Sequence, residues 1–313
     1  MIFPTAHKIV VPFVCVTMLT LMVTTYADTP HANGLLLCMP SNTILDKMPL
    51  YYWQEKFTNF GDYLSLKLVE RIVHGPVEVY QKQTLKKEQK LLAIGSILTF
   101  AAQGDIVWGS GANGKWLGLV NYKFTDLDVR AVRGPLTRYF LMQNFNITCP
   151  EIYGDPALLM PYFFPELKPA KNPSHDYLII PHYTEQMLFP RECYDNMVYP
   201  TDPWDKVVEK ILDSKFVISS SLHGVIVAEA FGIPARLLRI TETEHIFKFI
   251  DYYLGTGRPN FQPARSLAEA LKLGGEKPVQ CDVLKLYQAF PFEYWPEAEF
   301  LVPSFAQNRE ARA

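Results

Sequence analysis

Cysteine carries no pattern in this chain of 313 residues. Cys15, Cys38, Cys149, Cys193 and Cys281 form no C-x-x-C pair and show no metal spacing, so neither a dithiol redox motif nor a zinc knuckle is written here. Four of them remain if the N-terminus is removed, an even number that permits disulfides in a secretory compartment without demanding them. Charge of one sign is lacking as well. The formal net charge of −2 gives no electrostatic footprint for nucleic acid. No internal repeat, low-complexity tract, acidic triad or metal-ligand cluster stands out, which favours a metal-independent chemistry. With 49% hydrophobic and 20% charged residues the composition is globular, neither disordered nor fibrous. Seventeen tyrosines and five tryptophans suit carbohydrate handling, although such rings serve the core more often.

One long apolar run is present, Ile9 to Ala27, preceded by Lys8. It reads as a secretory signal peptide cleaved after Ala27, or as an uncleaved signal-anchor, since 19 residues at about 1.5 Å each nearly span a bilayer. A core helix is the third reading. Either main reading sends the rest to a lumen or the extracytoplasmic side, with the membrane involved only if the segment is uncleaved.

The chain is organised around Phe216 to Ala235. A β-rich run, Phe216 to Ile218, stops at Ser219, Ser220 and Ser221; His223 and Gly224 follow, and an apolar helix over 222–231 ends at Gly232 and Pro234. Arg236 to Ile240 reads as the next strand. Strand, polar elbow, helix, strand is the unit of an open parallel sheet, whose ligands sit at the strands' carboxyl ends. Helix N–H groups there favour an anion. The alternative is that a serine only caps the helix and His223 fills a polar gap.

Similar units precede it. Gly34 to Met39 and Leu50 to Trp53 read as strands, and Asn59 opens a helix through Val73 with Leu64, Leu68 and Ile72 on one stripe. Gly61 lets the backbone approach a ligand there, and Asp62 sits in the first turn. Leu91 to Ser96 and Asp105 to Gly114 are strand-then-glycine units. Gly109, Gly111 and Gly114 match G-x-G-x-x-G, yet no clear helix follows and no acidic residue ends a strand about 20 residues on, so a dinucleotide site is rejected. Gly109, Ser110 and Gly111 read instead as a turn that approaches substrate. Val129 to Val132 is a strand that places Arg133 at its carboxyl end, before Pro135 opens a helix to about Asn144. Arginine presents a planar fork to a carboxylate or phosphate. Phe164 to Ser174 is a proline-rich linker. Beyond it come strands Tyr177 to His182 and Met197 to Tyr199, then helices Pro203 to Leu212, Glu244 to Gly255 and Ser266 to Leu273.

These units predict an α/β fold of two Rossmann-like domains facing a cleft, a glycosyltransferase-B-like architecture. The expected boundaries are 1–27 for the targeting segment, 34–165 and 175–262 for the two domains, and 263–313 for a helix and tail packing back on the body.

The segment Ser219 to Pro234 resembles the signature of the polysaccharide pyruvyl transferase family, whose usual form is Ser-x-Arg-Leu-His-Gly; Ser221 stands at the arginine position. Asn59-x-Gly61-Asp62, the glycine-rich turn, Val132-Arg133-Gly134, the Gly154-Asp155-Pro156-Ala157 turn and the Glu244–Gly255 segment resemble its other motifs, in order, over roughly Tyr51 to Gly257. The resemblance implies transfer of the enolpyruvyl carbons of phosphoenolpyruvate to two hydroxyls of a glycan sugar, with no cofactor beyond that donor. It implies His223 as proton carrier, because histidine ordinarily changes charge near neutrality. Substrate binding would fall to Arg133, Ser219, Ser220, Ser221, Asn59, Gly61, Asp62, Gly109, Ser110, Gly111, Asp155 and His182. A nucleotide-sugar glycosyltransferase and a non-catalytic glycan-binding relative are the alternatives.

Overall fold

The computed structural model describes residues 47–54, 57–81 and 89–296. The apolar run Ile9 to Ala27, the expected strand Gly34 to Met39 and the final residues from Gln307 lie outside them. The described residues belong to one compact unit.

The apolar runs that end in glycine or serine become short parallel strands. Four make one sheet in sequential order: β1 (Leu50–Tyr51), β2 (Leu91–Leu92), β3 (Ile106–Trp108) and β4 (Asp128–Ala131). Three make a second: β5 (Leu178–Ile180), β6 (Val217–Ser219) and β7 (Ala235–Leu237). All pairings are parallel. The chain is therefore a mixed α/β protein built on parallel sheets, as its strand-elbow-helix units require.

Helices join or flank the strands: α1 (Phe60–Ile72), α2 (Pro135–Phe145), α3 (Met160–Phe163), α4 (Trp204–Leu212), α5 (Leu222–Ala230), α6 (Phe247–Gly255), α7 (Leu267–Leu273) and α8 (Val283–Gln288). Their ends follow local chemistry. The Asn59 side chain accepts the Gly61 N–H at 3.0 Å and starts α1. Pro135 takes the first turn of α2, and Asn146 leaves it at φ 55°.

Side chains alternate between the two faces along the strands with period two. Leu91, Ile106, Trp108, Leu178, Ile180 and Val217 enter one core that runs beneath both sheets. Leu92, Val107 and Val129 cover the other face of the first sheet, and Ile179 and Ile218 that of the second. Apart from β4, where Asp128 and Arg130 are partly exposed, both faces of each sheet are dry, which is why the strands read as unbroken apolar runs. The chain's far end joins the same core: the Trp108 indole donates to Leu286 O at 2.7 Å, and its ring meets Phe290 at 4.9 Å.

Several expected elements come out shorter, two of them for a visible local reason. Met197 to Tyr199 gives only one bridge, between Met197 and Ile179, because the Tyr199 N–H turns to the Asp202 carboxylate and Pro200 follows. The helix expected from Glu244 begins at Phe247, since the His245 ring accepts the Phe247 N–H at 3.2 Å. That delay leaves Glu244 outside the helix.

Candidate active site

A cleft of about 500 Å³ lies at the carboxyl ends of the strands. Six of the seven strands feed it. Trp53, Asn59 and Asp62 follow β1; Ser96, Ile97, Thr99 and Phe100 follow β2; Asn113, Lys115, Trp116 and Asn121 follow β3. From the second sheet come His182 and Tyr183 after β5, Ser221, Leu222 and His223 after β6, and Glu244 and Lys248 after β7.

His223, in the first turn of α5, lies across the start of α1. A Cβ at Gly61 would fall 2.1 Å from its Nδ1, so the ring occupies the space a side chain would need. Its Nε2 is buried 3.7 Å from Oδ2 of Asp155, and neither atom has a hydrogen-bond partner among the described residues. Asp155 reaches this point because its Oδ1 accepts the Ala157 N–H at 3.0 Å in the Gly-Asp-Pro turn. Asp62 completes the group. Burial pushes its carboxyl up to about 6, against the lowering fields of His223 and Lys248.

His182 lies across the cleft. Burial, then the Lys248 charge, depresses its imidazole to about 3, so it is neutral at physiological pH. Thr184 addresses its Nδ1 with its hydroxyl at 2.8 Å and its N–H at 3.4 Å.

Of the serine triplet, only Ser221 lines the cleft. It starts α5 without a side-chain capping bond, leaving the first-turn N–H groups uncapped by a side chain. Ser219 is fully buried, 2.8 Å from the carbonyls of Ile180 and Ser221, and accepts the Ser221 N–H at 3.0 Å. Ser220 accepts the His182 N–H at 2.8 Å. These two hydroxyls fix the elbow and do not face the cleft.

Arg133 also departs from the expected role. Its side chain is fully buried, with Nε on Asp251 at 3.1 Å, one terminal nitrogen on Ser96 at 2.5 Å and the other on the Ala112 carbonyl at 2.9 Å. Asp251 also accepts the Thr137 N–H and hydroxyl. The guanidinium thus binds α6 to the start of α2 and stands behind Ser96. The glycine-rich turn is framework too. Gly109 makes room for Pro156, Gly111 for Arg133 and Gly114 for His245, while Ser110 donates to the Gly95 carbonyl at 2.9 Å. None of Gly109, Ser110 or Gly111 lines the cleft.

A charged group on the β7 side leaves little trace in the sequence. Glu244 binds Lys115 through one oxygen and Lys248 through the other, the latter at 2.5 Å. Burial opposes ionisation of Glu244, but Lys248, His182 and Lys115 outweigh it and hold the carboxyl down at about 2. Lys248 is 8% exposed, and burial lowers its ammonium. Its signal was a lone lysine in the aromatic helix segment Phe247 to Tyr253. The wall also carries exposed rings, Phe100 and Trp116. Among the described residues, no group of three or more His, Cys, Asp or Glu could hold a metal ion, and no helix is long and apolar enough to cross a membrane.

One family model matches the chain. The model for "polysaccharide pyruvyl transferase" matches residues 59–241. The succinoglycan biosynthesis protein ExoV of Rhizobium meliloti (strain 1021) is 30% identical over 241 residues, which cover 72% of each chain. The uncharacterized protein L143 of Acanthamoeba polyphaga mimivirus is 28% identical over 207 residues, 63% of this chain and 70% of that one. A solved structure, a functionally uncharacterized protein of Klebsiella pneumoniae, has a TM-score of 0.41 and 13% identity, over 70% of this chain and 93% of its own. The family match opens at the α1 cap and takes in every residue lining the cleft except Trp53, Glu244 and Lys248. On that span, and on its likeness to a protein of polysaccharide biosynthesis, the chain belongs to the polysaccharide pyruvyl transferase family and is a transferase.

Proposed function

We propose that the enzyme transfers the pyruvyl carbons of phosphoenolpyruvate to two hydroxyls of a glycan sugar, forming a pyruvate ketal and releasing phosphate. The placement of His223 carries this reading. Its ring is seated on Gly61 at the uncapped start of α5, with one nitrogen buried against Asp155 and Asp62 close by.

The reaction requires two additions at C2 of the donor. In the first, a sugar hydroxyl adds to C2, Asp62 takes its proton, and His223 delivers a proton to C3, turning the methylene into a methyl. The C2–O bond to phosphate then breaks, and the electron pair leaves with the phosphate. The second hydroxyl adds to the resulting cationic carbon and releases its proton, which leaves with phosphate. Two hydroxyl protons are lost; one ends on the methyl carbon and one on phosphate.

The two parallel sheets support a glycosyltransferase-B-type arrangement with the domain limits given above. The apolar run Ile9 to Ala27 supports delivery through the secretory pathway. One incubation tests the function: enzyme, phosphoenolpyruvate and galactosyl, mannosyl and glucosyl acceptors, read by mass spectrometry. A ketal-bearing glycan is expected, and His223→Ala should lower its rate by at least about 10²-fold. Transfer from UDP- or GDP-sugars instead would make the protein a glycosyltransferase. Donor binding without turnover would make it a glycan-binding relative.

A further inference from the structure

The Glu244 carboxylate collects more positive charge than it can neutralise. Lys115 approaches one oxygen, Lys248 the other, and His182 stands 3.7 Å from the first. His182 is neutral near pH 7, so at ion-pair distance the carboxylate meets two cations, while the Asp62 carboxylate feels Lys248 from beyond that distance. A buried pair needs one of each. The Arg133–Asp251 pair nearby is such a closed set, one guanidinium on one carboxylate, both fully buried. The Glu244 group is not closed.

Placement sharpens the contrast. Lys248, Lys115 and Glu244 all line the cleft, whereas Arg133 and Asp251 do not. Lys248 is 8% exposed, and among the described residues one of its three ammonium donors is satisfied, on Glu244. A buried ammonium with spare donors facing a cavity is costly unless an acceptor arrives from that cavity. Ser221, across the cleft, brings a hydroxyl and no charge.

We propose that Lys115 and Lys248 form a clamp for a phosphate dianion, with Glu244 as the counter-ion that holds the two ammoniums in place before the ligand arrives. Each lysine acts as a compact point charge with rotatable donors, suited to the tetrahedral oxygens of phosphate. On entry the dianion takes the unused donors, and Glu244 competes with it for the same cations. The assignment deepens the donor reading by naming the cations that would meet the donor's phosphoryl group. It also applies to inorganic phosphate, which can be tested without any transfer reaction.

The probe is inorganic phosphate, titrated by calorimetry into the full-length protein at fixed ionic strength. Lys248→Met should weaken binding at least about tenfold, the scale of one charge-assisted bond. Lys115→Met should weaken it several-fold, because that side chain is more exposed. Glu244→Gln should tighten it, since a competing anion is removed; a purely structural ion cluster predicts no tightening. Lys248→Arg, which keeps the charge, serves as the folding control and should retain most of the binding. Unchanged phosphate affinity in both methionine variants, weaker binding in Glu244→Gln, or no binding to the wild type would each overturn the clamp. Pyruvyl transfer by wild type with lysine-independent phosphate binding would sink the clamp alone. Lysine-dependent phosphate binding without transfer from phosphoenolpyruvate would sink the donor reading alone.

Discussion

Nε2 of His223 and Oδ2 of Asp155 are buried 3.7 Å apart, and each lacks any other hydrogen-bond partner among the described residues. A carboxylate beside one imidazole nitrogen selects the tautomer with hydrogen on that nitrogen and leaves the other, Nδ1, for exchange. Asp155→Asn keeps the oxygen that caps the Gly-Asp-Pro turn and presents an N–H donor to His223. It should lower kcat at least about 10²-fold with a nearly unchanged melting temperature, and imidazole nitrogen shifts in NMR should report the exchanged tautomer. An unaltered tautomer would remove Asp155 from this orienting role.

Gly61 offers an independent test of the His223 position. An alanine Cβ there would fall 2.1 Å from Nδ1, 2.4 Å from Cγ and 2.6 Å from Cβ of His223. Turning the ring cannot clear the His223 Cβ, so Gly61→Ala should push the start of α1 from α5 and cost about 1–3 kcal/mol of stability. In the protein that remains folded, kcat should fall about as far as in His223→Ala. A fully active Gly61→Ala enzyme would mean that the ring's seat is immaterial.

Asp62 gives the pH dependence. As a base it works ionised, so kcat/KM should rise with pH through about 6 and then level off. Asp62→Asn should abolish that limb and lower the rate. Stability should move the other way. The folded carboxyl sits near 6 against an ordinary 3.8, so between those values the folded state holds a proton the unfolded chain has lost. Ionising Asp62 therefore weakens the fold as pH rises through that window, and the full cost stands above it. Melting curves of Asp62→Asn and wild type should diverge in the variant's favour from about pH 4 to about pH 7. A variant destabilised most at the higher pH contradicts this sign.

Arg133 should behave as framework. Arg133→Met leaves Asp251 buried without its cation and should cost about 3–5 kcal/mol in urea unfolding. A stable variant with a raised KM for phosphoenolpyruvate would return Arg133 to donor binding.

How much of this was legible varies with the kind of information involved. Strands ending in glycine or serine are local patterns, and they gave the parallel sheets and the elbow that carries His223. His182 and Ser221 were legible for the same reason, each lying just past a strand, and Asn59 and Asp62 because they open the helix that follows β1. Arg133 was misassigned because it meets the strand-end rule, while its partner, Asp251, lies 118 residues away and only folding reveals the pair. Gly109 and Gly111 look like ligand turns in one dimension, but the atoms that approach them belong to Pro156 and Arg133. Lys248 was missed because a helix of aromatic residues reads as core. Its partner Lys115 comes from the other sheet, 129 residues from the Glu244 they share.

The sharing of the cleft among six strand ends separates two jobs. His223, Gly61 and Asp155 are wedged against one another at its buried side, where an exchange of any one disturbs the others. The rim after β3 is different: Trp116, Leu119 and Val120 project into solvent at 51%, 49% and 90% exposure, on short turns that contribute nothing to the sheets' interior. Sequence change can accumulate at these three side chains without touching the buried group, while Lys115 on the first of the turns stays tied to Glu244. An enzyme so divided keeps its reacting centre fixed while its outer wall is free to vary.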